Sequence, residues 1–372
     1  MKRRFTALVV IAMLLALVFS GCAKKEAEAI KIGVAGAHSG DLASYGLPSV
    51  NAAKLVVEEW NANGGVLDRQ IELVIEDDVC KPEVSTNTAS KLVGEGVVAV
   101  MGHICSGATK AALPIYEESN IPIVSPSATN VSLAEYDNFF RTIAPDDAQS
   151  KMIVDFCLDS LGVTKIAVLH DKGDYGKGLA DFAKEFLEMD SRSDIVLYEG
   201  ITVGAVDYSA VLNKIKESGA EVIIYGGYHP EASKLVGQMK KMKMDNVYFI
   251  SDDGVKDETF IKVAGEYAEG VYATGPIDTS SNPLNQSATK AHQEKFGEDP
   301  GPFFYNAYAA TQAILNAIEK AGSTEYEDIV KALRGNYVET PLGSISFDEN
   351  GEAIGVGFSV YQVQNGVYVA VE

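Results

Sequence analysis

The feature that most constrains the fold is a regular alternation of short apolar strands with helices along most of the chain. Residues 30–36 form an apolar stretch that ends in glycine, and apolar residues at helical spacing follow it. The next predicted elements, in order, are a strand at 70–78, a helix at 82–95, a strand at 97–102, a helix at 107–119 and a strand at 121–126. This alternation favours an α/β fold, in which mostly parallel strands carry helices on both faces.

The same alternation starts again after Pro145, with a predicted helix at 146–161 and a strand at 165–171. The next helix carries an apolar stripe at i, i+3, i+4, i+7 and i+8, made by Leu179, Phe182, Ala183, Phe186 and Leu187. The last residues alternate polar and apolar, and Gln364-Asn365-Gly366 predicts a hairpin turn. Two αβ units in 372 residues therefore predict two lobes with a binding cleft between them.

The charge balance excludes several classes of partner. The chain has 31 Lys and Arg against 52 Asp and Glu, a formal net charge of −21. Surfaces that bind nucleic acid or anionic lipid need clustered basic residues, so neither is expected as a main partner. The acidic excess indicates a well-solvated surface and identifies no ligand.

The first residues read as an export signal. A basic start at residues 2–4 precedes an apolar run over 5–19, which is short for a membrane span. Cys22 follows Ser20 and Gly21 and resembles a bacterial lipobox, although Phe19 stands where leucine is usual. The resemblance implies cleavage after residue 21, lipid on Cys22 and a tether over 22–29. A cut after Ala29 and an uncleaved anchor helix are the alternatives.

The other cysteines fit an exported protein. Cys80 and Cys105 each follow a predicted strand, and neighbouring parallel strands would bring those ends together. A Cys80–Cys105 disulfide is therefore predicted, with two buried thiols as the alternative. Cys157 falls on a helical apolar face and is expected in the core. The chain has no CxxC pair, so neither thiol-redox chemistry nor structural zinc is expected.

Catalytic signatures are absent from the sequence. There is no GxxxxGK[ST] loop, no GxGxxG, no GxSxG and no HExxH, and the five histidines lie far apart. We therefore expect no metal, no cofactor and no reaction. A fold can still gather Ser, His and Asp from distant positions, so a secreted hydrolase using Ser106 stays a minor alternative.

Hydroxyl, tyrosine and acidic side chains cluster where the predicted strands end, and α/β sheets bind ligands at this edge. Ser106, Ser127 and Thr129 supply hydroxyl groups beside helix N-termini, whose free amides suit a carboxylate. Tyr175 and Tyr228 follow later strands, and Asp253 supplies a lone acid for an ammonium group. Together these side chains predict a site for a zwitterion, although each hydroxyl taken singly can also serve as a helix cap.

Six motifs give the chain a family resemblance. In order they are NANGGV (61–66), GHICSGAT (102–109), IPIVSPSAT (121–129), DYGKG (174–178), YGGYHPE (225–231) and AYAATQA (307–313). The chain resembles the solute-binding proteins of branched-chain amino acid ABC transporters, of the leucine/isoleucine/valine-binding type. The resemblance runs from about Ile30 to the C-terminus. It implies the periplasmic binding protein-like I fold, with three hinge crossovers between its lobes.

The resemblance also implies roles for particular residues. Ser106, Ser127, Ala128 and Thr129 lie in the segments that match the ligand's carboxylate and amine contacts, and Tyr175 and Tyr228 match second-lobe tyrosines. The wall around the ligand side chain would consist of Tyr45, Ile104, Cys105 and Phe303. Cys80 and Cys105 match the paired cysteines of the family. Asp253 stands where the family usually has Glu, and Ser127 where it usually has Ala.

The expected protein is an extracytoplasmic, lipid-anchored monomer that captures an amino acid for an ABC permease. Lobe boundaries are expected at 30–146 plus 277–355 and at 147–276 plus 356–372. A branched-chain aliphatic ligand is expected. Small amides, urea and aromatic acids are rival ligands, since this fold hosts many. A sensor subunit that uses the same site is the alternative role.

Overall fold

The computed structural model describes residues 28–371, and it confirms the predicted α/β architecture with two lobes. Lobe 1 is built on a five-stranded parallel sheet. Its strands are β1 (Ile30–Gly36), β2 (Ile71–Asp77), β3 (Ala99–Met101), β4 (Ile123–Ser125) and β5 (Phe139–Arg141), in the order β2-β1-β3-β4-β5. Its first helices are α1 (Ala43–Ala62), α2 (Pro82–Glu95) and α3 (Ser106–Glu118), with a 3₁₀ turn at Val131–Glu135 before β5.

Lobe 2 repeats the pattern around a second sheet. Its helices are α4 (Asp146–Asp155), α5 (Asp174–Met189), α6 (Ser209–Ser218), α7 (His229–Lys241) and α8 (Glu258–Ala264). Its parallel strands are β6 (Lys165–His170), β7 (Asp194–Gly200), β8 (Val222–Gly226), β9 (Tyr248–Ser251) and β10 (Tyr272–Pro276). A π-helical turn, Phe156–Ser160, continues α4, and a 3₁₀ turn, Gly265–Ala268, follows α8.

The chain then returns to lobe 1 and ends in lobe 2. Helices α9 (Pro283–Phe296), α10 (Phe304–Ala321) and α11 (Tyr326–Gly335) pack on lobe 1, followed by an antiparallel sheet of β11 (Val338–Thr340), β12 (Gly343–Phe347) and β13 (Ala353–Ile354). Two last strands, β14 (Phe358–Gln364) and β15 (Val367–Ala370), complete the second sheet in the order β15-β14-β10-β9-β8-β6-β7. Three passages therefore join the lobes, after β5, after β10 and after β13.

Each lobe has its own apolar core. In lobe 1, Ile32 and Val34 of β1 pack with Ile314 of α10, and all three are fully buried. In lobe 2, Leu179 and Ala183 of the predicted α5 stripe are fully buried against the sheet. Separate cores allow the lobes to move as bodies about the three connections.

Glycine fixes the local geometry at two positions, one beside the predicted site residues and one in the C-terminal hairpin. A Cβ on Gly176, near the start of α5, would lie 2.3 Å from the carbonyl oxygen of Gly226 at the end of β8. Only glycine permits this approach, which sets α5 directly against the strand end. The predicted hairpin turn is confirmed, since Asn365 and Gly366 both have positive φ, 54° and 76°, between β14 and β15.

Some predicted bounds were wrong. The strand expected over 97–102 is found at Ala99–Met101, and the strand expected over 121–126 is found at Ile123–Ser125. The helix expected over 146–161 changes to π geometry after Asp155. Among residues 28–371, no helix is both long and apolar enough to cross a bilayer. The predicted signal segment and Cys22 lie outside the described residues.

Candidate functional site

A cavity of about 250 Å³ lies between the lobes, beside the ends of the central strands. Its lining consists of Tyr45, Ile104, Cys105, Ser106, Ser127, Tyr175, Tyr228, Asp253, Gly254 and Phe303. Ligand pockets usually enclose about 300–1,000 Å³, so this cavity suits a small molecule. Nine of the predicted site residues thus surround one space, and Gly254 joins them.

Lobe 1 supplies the hydroxyl side of the cavity. Ser106 is the first residue of α3, so its hydroxyl lies beside the free amides of that helix. Its Oγ accepts a hydrogen bond from the Asn130 backbone N–H at 3.3 Å, and Ser127 Oγ donates to the Ile104 carbonyl at 2.8 Å. These contacts tie the loop after β4 to the loop after β3. The parallel order of β3 and β4 therefore brings the two predicted hydroxyls together.

A buried arginine also stabilises the loop after β4 through hydrogen bonds to its backbone. Arg141 Nη1 donates to the carbonyl oxygens of Ala128 and Asn130, at 3.2 Å and 3.0 Å, and its Nε donates to Glu352 at 2.6 Å. Ala128 and Thr129 are fully buried beside the cavity and do not line it. Within the described residues, the Thr129 hydroxyl has no partner at full hydrogen-bond geometry, but it lies close enough to the Asp146 carboxyl group to lower the pKa of that group.

Aromatic rings form the apolar side of the cavity. The Tyr175 and Tyr228 rings lie 5.0 Å apart, centroid to centroid, and the Tyr45 ring lies 6.1 Å from that of Tyr228 and 5.7 Å from that of Phe303. Tyr45, Tyr228 and Phe303 belong to one apolar cluster with Ile104. Such a wall favours an apolar ligand group over a charged one.

Phe303 has a strained backbone at this wall. Its φ is 59°, in the left-handed region that large side chains rarely adopt. It sits at the N-cap position of α10, where a left-handed residue turns the chain into the helix. Strain of this kind is typical of functional positions, because the surrounding structure must hold it in place. Here it directs the ring to the cavity.

Three acidic side chains are buried where lobe 2 meets the cavity: Asp146, Asp252 and Asp253. Asp253 Oδ1 accepts hydrogen bonds from the Tyr175 hydroxyl at 2.5 Å and from Gln149 Nε2 at 3.0 Å. Asp252 Oδ2 accepts from the Gly227 backbone N–H at 2.8 Å. Neither carboxyl oxygen of Asp146 has a partner at hydrogen-bond geometry in the described part of the chain.

These three acids form no ion pair with a basic side chain of the described residues. The buried arginine near the cavity, Arg141, pairs with Glu352 instead. Burial raises the pKa of Asp146 to about 8, the Asp253 charge adds to the effect, and the Thr129 hydroxyl and the Arg141 charge partly offset it. Burial also raises the pKa of Asp253 and, more strongly, that of Asp252. Ionisation of these carboxyl groups is therefore unfavourable until a positively charged group stabilises it.

The predicted disulfide is confirmed. Cys80 and Cys105 are joined, with their Cα atoms 5.5 Å apart, and Cys105 is part of the cavity wall. The prediction for Cys157 is also confirmed, since it is a free, buried thiol. Within residues 28–371, no group of three or more His, Cys, Asp or Glu side chains could hold a metal ion.

Sequence reasoning missed several polar residues around the cavity. Gln149 and Asp146 lie one turn apart on α4, so both side chains are on the same face of the helix, where Gln149 bonds to Asp253. Neither residue belongs to a recognisable motif. His229 and Asp257 meet Tyr45 and Ser44 across the lobes, and only the fold brings them together. An acid at a helix start, directly after a predicted crossover, was the one signal that could have pointed to Asp146.

The comparisons with known proteins agree with this geometry. Residues 29–367 match the family model described as "Periplasmic binding protein", and the chain belongs to that family. A leucine-, isoleucine-, valine-, threonine- and alanine-binding protein of Pseudomonas aeruginosa is 37% identical over 338 residues, which is 90% of each chain.

Solved structures give the same result for the fold. A leucine-binding protein of Thermotoga maritima superposes with a TM-score of 0.86 at 26% identity, over 92% of this chain and 98% of that one. A branched-chain amino acid transporter substrate-binding protein of Streptococcus pneumoniae, in complex with isoleucine, gives 0.82 at 30% identity, over 92% and 100%. The predicted family and fold are therefore confirmed.

Proposed function

We propose that this protein captures an α-amino acid with a branched aliphatic side chain between its lobes and delivers it to an ABC permease. The observation that carries the proposal is the buried Asp253, which forms no ion pair within residues 28–371 and lies in the wall of a cavity of hydroxyl and aromatic groups. An ammonium group supplies the missing positive charge. The related proteins that bind leucine, isoleucine and valine support the same ligand class.

The zwitterion has a complementary surface at each end. The carboxylate would accept hydrogen bonds from the Ser106 and Ser127 hydroxyls and from the free amides that begin α3. The ammonium would lie near Asp253, with the Thr129 hydroxyl available to accept from it. The Ala128 carbonyl already accepts from Arg141, which fixes the loop that positions both groups.

The side chain of the ligand would occupy the apolar wall formed by Tyr45, Ile104, Cys105 and Phe303. Burying an isobutyl group instead of a methyl group contributes about 2 kcal/mol, which favours leucine over alanine. Aromatic acids and urea lack the ammonium group, so they would leave Asp253 without a counter-charge. This difference weighs against those rival ligands.

We propose that the lobes are the units that move. Residues 30–146 with 277–355 would form one body and residues 147–276 with 356–372 the other, joined by the three passages. Ligand would first dock on lobe 1, and lobe 2 would then bring Tyr175 and Tyr228 over it. Ligand shifts this equilibrium only through its higher affinity for the closed form.

The remaining assignments concern location and role. We propose that Cys22 carries a lipid that holds a monomer at the outer face of the cytoplasmic membrane, and Cys22→Ala should then release the protein from the membrane fraction.

We propose that the protein binds its ligand without a reaction. This proposal is supported by the relatives named above, which are binding proteins, and by Ser106 Oγ, which accepts a hydrogen bond from a backbone N–H. A gene deletion separates transport from sensing, because loss of uptake supports transport and loss of a response with normal uptake supports sensing.

A thermal-shift screen tests the ligand class directly. The purified protein is mixed in turn with each of the twenty amino acids, benzoate, urea and small amides. Leucine, isoleucine and valine should give the largest rise in melting temperature, and calorimetry should then give their affinities. A response to benzoate or an amide, with none to any α-amino acid, would overturn the proposal.

A further inference from the structure

A second set of polar side chains joins the lobes behind the apolar wall. Tyr45, on α1 of lobe 1, places its hydroxyl 2.6 Å from Nδ1 of His229 and 2.5 Å from the Gly254 carbonyl oxygen, both in lobe 2. The adjacent Ser44 donates to Asp257 Oδ2 at 2.5 Å, and that oxygen lies 3.6 Å from His229 Nδ1. We call Ser44, Tyr45, His229 and Asp257 the interlobe latch.

The hydrogen-bond donors of the latch follow from what each group can do. The Gly254 carbonyl only accepts, so the single hydroxyl proton of Tyr45 goes to it. His229 Nδ1 must then carry a proton and donate to the Tyr45 oxygen. Burial lowers the pKa of His229 despite the nearby Asp257, Glu231 and Asp41 carboxylates, so the neutral ring protonated at Nδ1 is the form that fits.

The latch is buried and spans the lobes. Tyr45, His229 and Asp257 are each at most 2% exposed, so water does not compete for their hydrogen bonds. Partners in each pair lie 184 to 213 residues apart in the chain. Separating the lobes would break every one of these contacts, and water would take their place. They therefore stabilise the closed form alone.

We propose that the interlobe latch sets how long the lobes stay closed and hence how slowly the ligand leaves. The inference rests on the proposed function, since it concerns release of the captured amino acid. His229 does not line the cavity, so it acts on the ligand only through Tyr45 and the lobe contact. It is a positioning residue.

Stopped-flow kinetics with L-leucine test this role. His229→Ala removes one hydrogen bond and should raise the dissociation rate about fivefold, and Tyr45→Phe removes two and should raise it about 30-fold. In His229→Ala, the association rate and the melting temperature of the ligand-free protein should change little. His229→Asn should restore slow release, because its amide N–H can replace Nδ1–H.

The chain offers a matched control. Lys110 and Asp174 also pair across the lobes, at 3.0 Å, but their side chains are 46% and 41% exposed. Asp174→Asn should therefore change the dissociation rate less than about threefold. Unchanged release in His229→Ala and Tyr45→Phe would overturn the latch, as would variants that only lower the melting temperature of the ligand-free protein.

Failure of the proposed function is recognised separately. In that case the wild-type protein shows no binding of L-leucine at all. The same kinetics are then measured with the compound, such as benzoate, that raised the melting temperature most in the thermal-shift screen. The latch predicts that His229→Ala raises the dissociation rate of that compound about fivefold, and an unchanged rate would overturn the latch as well.

Discussion

Replacing Asp253 with asparagine should separate the charge of this side chain from its shape. The amide oxygen of the new side chain could still accept from the Tyr175 hydroxyl and from Gln149, which now bond to Asp253 Oδ1 at 2.5 Å and 3.0 Å. The local packing should therefore survive. Because burial of the carboxylate is unfavourable, as its raised pKa shows, the ligand-free variant should melt at least as high as the wild type.

The expected loss of affinity follows from the type of hydrogen bond. A bond to a charged group contributes about 1.5–3 kcal/mol and a neutral one about 0.5–1.5 kcal/mol. The difference, about 1.5 kcal/mol, corresponds to roughly tenfold weaker binding of L-leucine. Lys256 and Arg141 act electrostatically on Asp253 and Asp146, but neither forms an ion pair with these acids, so the ammonium group would be the direct charged partner of Asp253.

Calorimetry with two ligands gives the decisive comparison. L-Leucine and 4-methylpentanoate differ only in the ammonium group, so Asp253→Asn should weaken the first and leave the second almost unchanged. Asp137→Asn is the matched control, since it removes one carboxylate whose side chain is 91% exposed. Equal loss for both ligands, or no loss for leucine, would remove Asp253 from the ammonium site.

Three further predictions test the site and its support. Burial raises the pKa of Asp146 to about 8, so this carboxyl group is neutral below that pH. Leucine affinity should therefore fall as the pH is lowered through that value, and calorimetry should show a weaker pH dependence in Asp146→Asn. Thr129→Val and Tyr228→Ala should each lower the affinity measured by calorimetry, through loss of a hydroxyl and of a closing ring, and normal binding in both would refute the cleft assignment. Mass spectrometry without reductant should recover the Cys80–Cys105 peptide pair, and the double alanine variant should lose about 3 kcal/mol of unfolding free energy for a loop of 25 residues.

Much of the fold could be predicted because local patterns determine it. The helix expected over 82–95 is found at Pro82–Glu95, where Pro82 starts it and Gly96, with a φ of 76°, ends it. Strand β5 was not predicted, because Phe139–Arg141 is only three residues long and gives no periodicity. It forms through its parallel pairing with β4, which is a long-range contact.

The cavity residues were accessible to sequence reasoning for a similar reason. Parallel strands end at one edge, so Ser106 and Ser127, which follow β3 and β4, could be placed near one another from strand order alone. Thr129 shows the limit of that reasoning, since two residues along the same loop its side chain is buried behind the lining. The ends of the strands predict which residues lie near the site, but the geometry of the loops determines which side-chain atoms line it.

No sequence pattern marks the interlobe contacts, and these contacts affect which ligands can close the lobes. His229 and Asp257 meet Ser44 and Tyr45 only when the lobes close, so no local pattern marks them. Closure forms these hydrogen bonds, but it also buries Asp253 beside two other acids, and an unneutralised buried carboxylate costs more than a few neutral hydrogen bonds provide. The latch alone therefore does not favour the closed form. An ammonium group changes the balance by neutralising the acids, and we expect closure to require both the charge of the ligand and the contacts of the latch.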